Sequence, residues 1–283
     1  MNNPELLKQI SFEVYDCQTS KDKLEPMMEK LTLLYATDFW VDVWEEFLKS
    51  EDGKQFGRFD ATGAIYPQTA ALMELNNIDT KNENWSKQAW NIAGMGKLLD
   101  INGQPVNQFW TLETARATLE DFIKPKEMNG YEGEILLYQS ADEIMGFCAY
   151  TAGSIEDSAT LFQKRFSYDT LVINGTLVDI STKELIEMLY PKEKVGLCLD
   201  MGIPSTYRGQ GLGSKLFDER LKRLSNKGVD VIGSRTTYDS KAQSIGNYEK
   251  VGMKPIAFDP KFPQEALFTV RVEDLKLRNS QSI

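Results

Sequence analysis

The chain has 283 residues, of which 41% are hydrophobic and 26% charged, with a formal net charge of −10 and no histidine. That composition belongs to a globular protein of one large or two ordinary domains. It argues against general nucleic-acid binding, since a phosphate backbone would be repelled, and it removes Ser–His–Asp and Cys–His catalysis and most zinc sites.

The N-terminus lacks a basic region followed by an apolar run, so no signal peptide is expected. No apolar stretch approaches the ~18 residues of a membrane span, so no membrane partner is expected. Cys17, Cys148 and Cys198 are far apart and show no metal spacing; no metal is expected, and a reducing cytoplasm is the simplest location. Residues 1–30 read as a helical N-terminal extension with Leu6, Leu7, Ile10 and Phe12 on it. A short strand is expected over 30–36, then a helix over 39–50 with Asp38 as its cap. Residues 51–67 are glycine-rich and aperiodic, a loop. Helices are expected over 68–76 and 85–99, and a turn at Ile101-Asn102-Gly103-Gln104-Pro105.

The spacing of Leu112, Ala115, Leu119 and Phe122 predicts a helix over 109–123. Residues 134–139 and 143–151 then form two strands of a hairpin. Within 152–194, a helix is expected over 154–166. A second hairpin follows, its strands flanking Asn174-Gly175. A capping box, Ser181 with Glu184, opens a further helix closed by Pro191.

Residues 195–203 place Val195, Leu197, Leu199, Met201 and Ile203 on one face at period two, with Gly196, Cys198, Asp200 and Gly202 on the other. Pro204 ends the strand. The turn Arg208-Gly209-Gln210-Gly211-Leu212-Gly213 opens a helix with a stripe of Leu212, Leu216, Phe217, Leu221 and Leu224, terminated at Gly228. A strand over 229–237, a helix reaching Met253, and a strand over 265–272 alternating Ala266, Phe268 and Val270 against Leu267, Thr269 and Arg271 complete the core. The tail, 277–283, is expected to be disordered.

The glycine turn is the most informative feature. A turn of this kind at a helix start leaves backbone N–H groups pointing where an anion would sit, and Arg208 adds a charge that bonds phosphate bidentately. The alternative is a turn that needs glycine for its dihedrals only. A P-loop would need Gly-Lys-Ser/Thr, whereas Gly213 is followed by Ser214-Lys215. A dinucleotide-binding turn, as in a nucleotide-binding oxidoreductase, would need a third glycine at position 214 and an acid at a strand's end, but Asp230 begins its strand.

The run from Arg208 to Gly213 resembles the Q/R-x-x-G-x-G/A signature of the GNAT superfamily of N-acetyltransferases. Asn247-Tyr248-Glu249-Lys250-Val251-Gly252-Met253 is similar to that superfamily's Tyr-Glu-Lys-x-Gly-Phe segment, with Met253 in place of Phe. The resemblance implies an α/β fold: a mixed, splayed central sheet with helices on both faces, preceded by the N-terminal extension. The domain would then run over 31–276 with insertions at about 51–108 and 152–194, the second lying before the fourth strand. It implies acetyl-CoA as co-substrate. The amides of Gly209, Gln210, Gly211, Leu212, Gly213 and Ser214, with Arg208, would hold its pyrophosphate. Met201, Gly202 and Ile203 would pair with its pantetheine arm. Tyr248 would protonate the leaving thiolate, its ordinary pKa being close to that of a thiol; the alternative is an aromatic that packs the helix on the sheet.

Two departures stand out. Pro204 precedes Arg208 by four residues where many members have three, and no early glutamate is present to act as base. Asp200 is the nearest carboxylate. It would draw the proton from an amine directly or through water, or be a structural Asp bonded to a loop. Cys198 lacks a histidine to activate it and reads as a small buried apolar residue.

The resemblance thus implies an N-acyltransferase, most simply of acetyl to a primary amine. The acceptor would be a small molecule or peptide amine, and the acidic chain suits a cationic one. A non-catalytic acyl-CoA sensor is the alternative. The 152–194 insertion would shape acceptor choice, or serve packing or dimerisation.

Overall fold

A computed structural model describes residues 10–35, 73–82, 112–129, 131–140, 143–165, 169–237, 244–260 and 265–276, with residues 88, 92, 97 and 99. The expected helix over 39–50, the 51–67 loop, the turn at 101–105 and the tail at 277–283 lie outside the described residues, as do Leu6 and Leu7. In chain order the strands are β1 (Ile10–Tyr15), β2 (Tyr131–Ser140), β3 (Glu143–Gly153), β4 (Leu171–Ile173), β5 (Thr176–Val178), β6 (Val195–Gly202), β7 (Val231–Thr237), β8 (Lys254–Phe258) and β9 (Glu265–Arg271). The α-helices are α1 (Lys21–Leu34), α2 (Leu112–Phe122), α3 (Lys126–Asn129), α4 (Ile155–Arg165), α5 (Thr182–Leu189), α6 (Leu212–Asn226) and α7 (Ser244–Lys250).

The chain divides into two compact units. One comprises Ser20–Glu120 with Pro204–Thr206. In it, α1 buries Met27, Met28, Leu31 and Thr32. Arg116 of α2 donates to Glu25 at 2.7 Å and to Glu120 at 2.6 Å.

The other unit, Met1–Thr19, Asp121–Ile203 and Tyr207–Ile283, is built on one mixed sheet. Among the described residues its nine strands run in the order β1-β2-β3-β6-β7-β9-β8-β4-β5. Only the β6–β7 pairing is parallel; the neighbouring pairings are antiparallel. Alternation along β9 shows why both faces are covered. Ala266, Phe268 and Val270 enter one apolar cluster with Leu216, Phe217, Leu221 and Leu224 of α6 and Tyr248 of α7. Leu267 enters a second, with Ala159 and Phe162 of α4 and Leu185 and Ile186 of α5. On that second face the Tyr190 and Thr269 hydroxyls share a hydrogen bond of 2.7 Å.

The expected hairpin of β2 and β3 is present and each strand is longer than expected. The Asn174-Gly175 turn joins β4 to β5 with φ of 50° and 78°, the left-handed pair that a two-residue hairpin turn requires. Ser181 accepts from the Glu184 amide while the Glu184 carboxylate accepts from the Ser181 amide, so both arms of the capping box are made.

Three expectations fail. Residues 10–15 are a strand, not part of a helical extension. Ile10, Phe12 and Val14 alternate at period two, β1 pairs with β2, and the Phe12 ring lies 4.8 Å from that of Tyr138. The strand expected over 30–36 is the end of α1. Met27, Met28, Leu31 and Tyr35 are buried at helical spacing, so the helix runs on through residues expected to be extended. The domain start expected at residue 31 accordingly falls within α1. Finally, β6 does not keep one apolar face. Val195, Leu197 and Leu199 pack in the second cluster, whereas Cys198, Met201 and Ile203 pack in the first. The cause is a β-bulge: Tyr150 pairs with Cys198 and Cys148 with Met201, so three steps on β6 oppose two on β3.

Candidate active site

The site is built where β6 and β7 part. Their parallel register runs from Val195 with Val231 to Cys198 with Ser234 and goes no further. Beyond it, β6 continues to Gly202 on β3 and β7 continues to Thr237 on β9. The bulge lies at the same level, so β6 bends away as its ladder to β7 ends. The sheet therefore forks, and among the described residues one backbone edge of residues 199–202 has no neighbouring strand.

Along β6 the chain leaves the fork by Ile203 and Pro204, a short 3-10 turn, Ser205–Tyr207, and the glycine turn. Gly209 and Gly211 have φ of 77° and 76°, a conformation that side chains disfavour. Among the described residues, an added Cβ at either would meet no atom within 4 Å, which leaves space over the turn for a ligand. Gly211 is the N-cap of α6, and the Lys215 amide makes the first return bond, to the Gly211 carbonyl. The amides of Leu212, Gly213 and Ser214 precede that bond and stand free of the helix ladder. This arrangement fits a phosphate group.

The sequence-singled residues take different parts in this geometry. Met201, Gly202 and Ile203 are half-buried at the strand end. Arg208, Gly209, Gln210 and Gly211 are exposed in the turn, and Arg208 Nε donates to the Ile203 carbonyl at 2.9 Å, tying turn to strand. Leu212 is buried in the α6 stripe, so only its amide faces outward chemistry. The Ser214 hydroxyl donates to the Asn247 side chain at 3.1 Å, linking the start of α6 to α7.

Tyr248 is 6% exposed, its ring stacked 5.2 Å from Phe217 and edge-on to Phe268 at 5.3 Å. Its hydroxyl shares a 2.7 Å hydrogen bond with that of Ser234, the last residue of β7 paired to β6. Packing and a polar role are thus combined in one residue. Burial pushes the phenol up from its ordinary 10.0, and the Arg220 charge opposes that. Asp200 is half-buried, just past the bulge. The period-two face that would have joined it to Cys198 is interrupted there. Cys198 is buried and burial raises its thiol, which leaves it a protonated, apolar filler. Asp230 precedes β7, its carboxylate accepting from the Lys194 amide, which is not the strand-end position that ribose binding requires.

Arg220 and Ser234 escaped the sequence reading. Arg220 is 1% exposed, in the α6 stripe between Phe217 and Leu221, and donates to the Leu199 carbonyl at 3.2 Å. Its position, four after Leu216, could have revealed it as a charge on a buried face.

The forked mixed sheet and the glycine turn that caps α6 agree with the family to which the turn sequence already pointed. The sequence model described as acetyltransferase (GNAT) family matches residues 106–253, more than half of the chain, and the chain belongs to that family. Solved structures resemble it at low identity. The PaiA N-acetyltransferase of Thermoplasma acidophilum in complex with coenzyme A is 11% identical over 92% of this chain and 99% of that one, with a TM-score of 0.40. A putative arylalkylamine N-acetyltransferase 7 of the mosquito Aedes aegypti is 16% identical over 92% and 87%, at 0.44. The ribosomal-protein-S18-alanine N-acetyltransferase of Escherichia coli is 11% identical over 63% and 85%, at 0.34. No curated protein matches the chain. Among the described residues, no helix is long and apolar enough to cross a membrane.

Proposed function

We propose that this protein transfers an acyl group, most simply acetyl, from acetyl-CoA to a primary amine by direct attack in a ternary complex. The observation that carries the reading is the fork: β6 and β7 part after Cys198 and Ser234, with the glycine turn at one end and the Tyr248 hydroxyl at the vertex. In this reading the amides of residues 209–214 bind the pyrophosphate, and the β6 edge at Met201, Gly202 and Ile203 pairs with the pantetheine arm. Arg208 contributes charge and holds the turn on its strand. The exposed β6 amides polarise the thioester carbonyl. Asp200, directly or through water, takes the proton from the ammonium, and Tyr248 gives one to the leaving sulfur. With its phenol raised, Tyr248 holds that proton throughout the neutral range.

A non-catalytic acyl-CoA sensor is the second reading. The depth of Tyr248 and its bond to Ser234 favour it, because both also suit a purely structural tyrosine. Thermal unfolding with acetyl-CoA, coenzyme A, NAD and ATP, on wild type and Arg208→Ala, tests the shared part. Coenzyme A ligands at about a hundred times Kd should add roughly 2.7 kcal/mol to wild type and less to the variant. Stabilisation by NAD alone would overturn both readings. Thiol release across a panel of polyamines, aryl amines and lysine peptides then separates enzyme from sensor.

A further inference from the structure

Arg220 is the charged residue least expected where it stands. The other members of the α6 stripe, Leu212, Leu216, Phe217, Leu221 and Leu224, are apolar and buried. The Arg220 guanidinium reaches the vertex of the fork, where Nη1 donates to the carbonyl of Leu199, the first residue of β6 beyond its register with β7. Its carbon lies 5.2 Å from the centroid of the Phe217 ring, and that ring stacks on Tyr248. Among the described residues its Nε has no hydrogen-bond partner. A buried guanidinium so thinly compensated is costly. An anion arising beside it would recover much of that cost.

The ionisable groups that act on it electrostatically narrow the choice of anion: Cys148 of β3, Cys198 and Asp200 of β6, and Tyr248 of α7, whose ring stacks on Phe217 and whose hydroxyl is held by Ser234 of β7. Glu219 and Arg223 of the same helix also act on Cys148. Both thiols are deeply buried, and burial pushes Cys148 up to about 12 and raises Cys198, so neither ionises under working conditions. Asp200 is the candidate base and half-open to solvent. Among these groups, Tyr248 is the one that the acyl-transfer reading turns into an anion during turnover.

We propose that Arg220 is a positioning residue acting through Tyr248: a buried cation, pinned at the fork by the Leu199 carbonyl, that stabilises the phenolate left when Tyr248 gives up its proton. The proposal deepens the acyl-transfer reading and rests on it. As the amide forms, the carbon–sulfur bond of the thioester breaks and its electron pair goes to sulfur. The Tyr248 proton follows to that sulfur and leaves a phenolate beside Arg220. The proton shed by the amine, carried through solvent, restores the phenol.

The test compares wild type, Arg220→Met and Arg220→Lys by acetyl transfer to spermidine and tyramine, by thermal unfolding, and by NMR titration of ring-labelled tyrosine with the Tyr248 signal assigned through Tyr248→Phe. Arg220→Met should fold, since an apolar replacement of a buried charge is often tolerated. Its kcat should fall about ten-fold or more while KM for acetyl-CoA changes less than about two-fold. Its Tyr248 titration should move upward by about one pH unit, and Arg220→Lys should restore most of both. An unchanged kcat and an unmoved titration would overturn the proposal. So would equal losses in Met and Lys variants with the titration unmoved, or failure of both to fold, since each marks a structural residue. If wild type acetylates no amine and ignores coenzyme A, the acyl-transfer reading falls by itself; the titration still judges the coupling of Arg220 to Tyr248, and no shift there ends the proposal.

Discussion

The two halves of β6 are four residues each and are treated in opposite ways. Val195–Cys198 is laddered to β3 and β7 and buried on both faces, whereas Leu199–Gly202 is half-buried and meets β3 at Met201 and Gly202, beyond the bulge. One strand thus serves as beam and then as bench. Stability resides in the first half, through apolar burial and paired backbone; the proposed function assigns the chemistry to the second, beside which Tyr248 bonds Ser234 and Arg220 bonds the Leu199 carbonyl.

Substitutions should separate the halves. The largest effect belongs to Tyr248→Phe, which should lower kcat by a factor of about a hundred to ten thousand with a small change in Tm; steady-state kinetics and unfolding on the same samples check it. Leu197→Ala, in the first half and 1% exposed, should cost about 2–5 kcal/mol of stability. Its kcat per folded molecule should stay near wild type in activity measured against denaturant midpoint. A kcat collapse there would erase the distinction between halves. Arg208→Ala should weaken coenzyme A by about ten-fold, or ~1.4 kcal/mol, by calorimetric titration, with stability nearly unchanged. Gly211→Ala should cost about 1 kcal/mol for its left-handed backbone and weaken coenzyme A in step. The smallest effect is in pH. Folding raises the Tyr248 phenol above 10.0, so its contribution to stability is whole below pH 10 and is lost as pH rises through the folded value. Wild type should therefore lose stability to alkali faster than Tyr248→Phe.

The same contrast marks what the sequence disclosed. Elements set by local chemistry were legible: the capping box at Ser181, the Asn174-Gly175 turn, the Gly209 and Gly211 turn, and the alternation of β9. The bulge was not, because period two cannot register one inserted residue, and its cause lies in pairing with a distant strand. β1 was misread because its partner β2 lies more than a hundred residues on. Arg220 hid because a polar residue on an apolar stripe looks like noise until the fork gives it something to face. Of the proposed site, the glycine turn and Tyr248 stood out in the sequence because they carry motifs. The supporting charge carries none.

The hairpin of β4 and β5 lies between β3 and β6 in the chain, yet it crosses the sheet to pair at Val172 with Phe258 of β8. On a ribosome this hairpin is made long before the strand it shelters. It must wait, with α4 and α5 ready to cover one face, until the last strands emerge. A nascent chain halted before β8 would carry an unmatched hairpin edge, a natural handle for chaperones and for sticking to a neighbour on the same message.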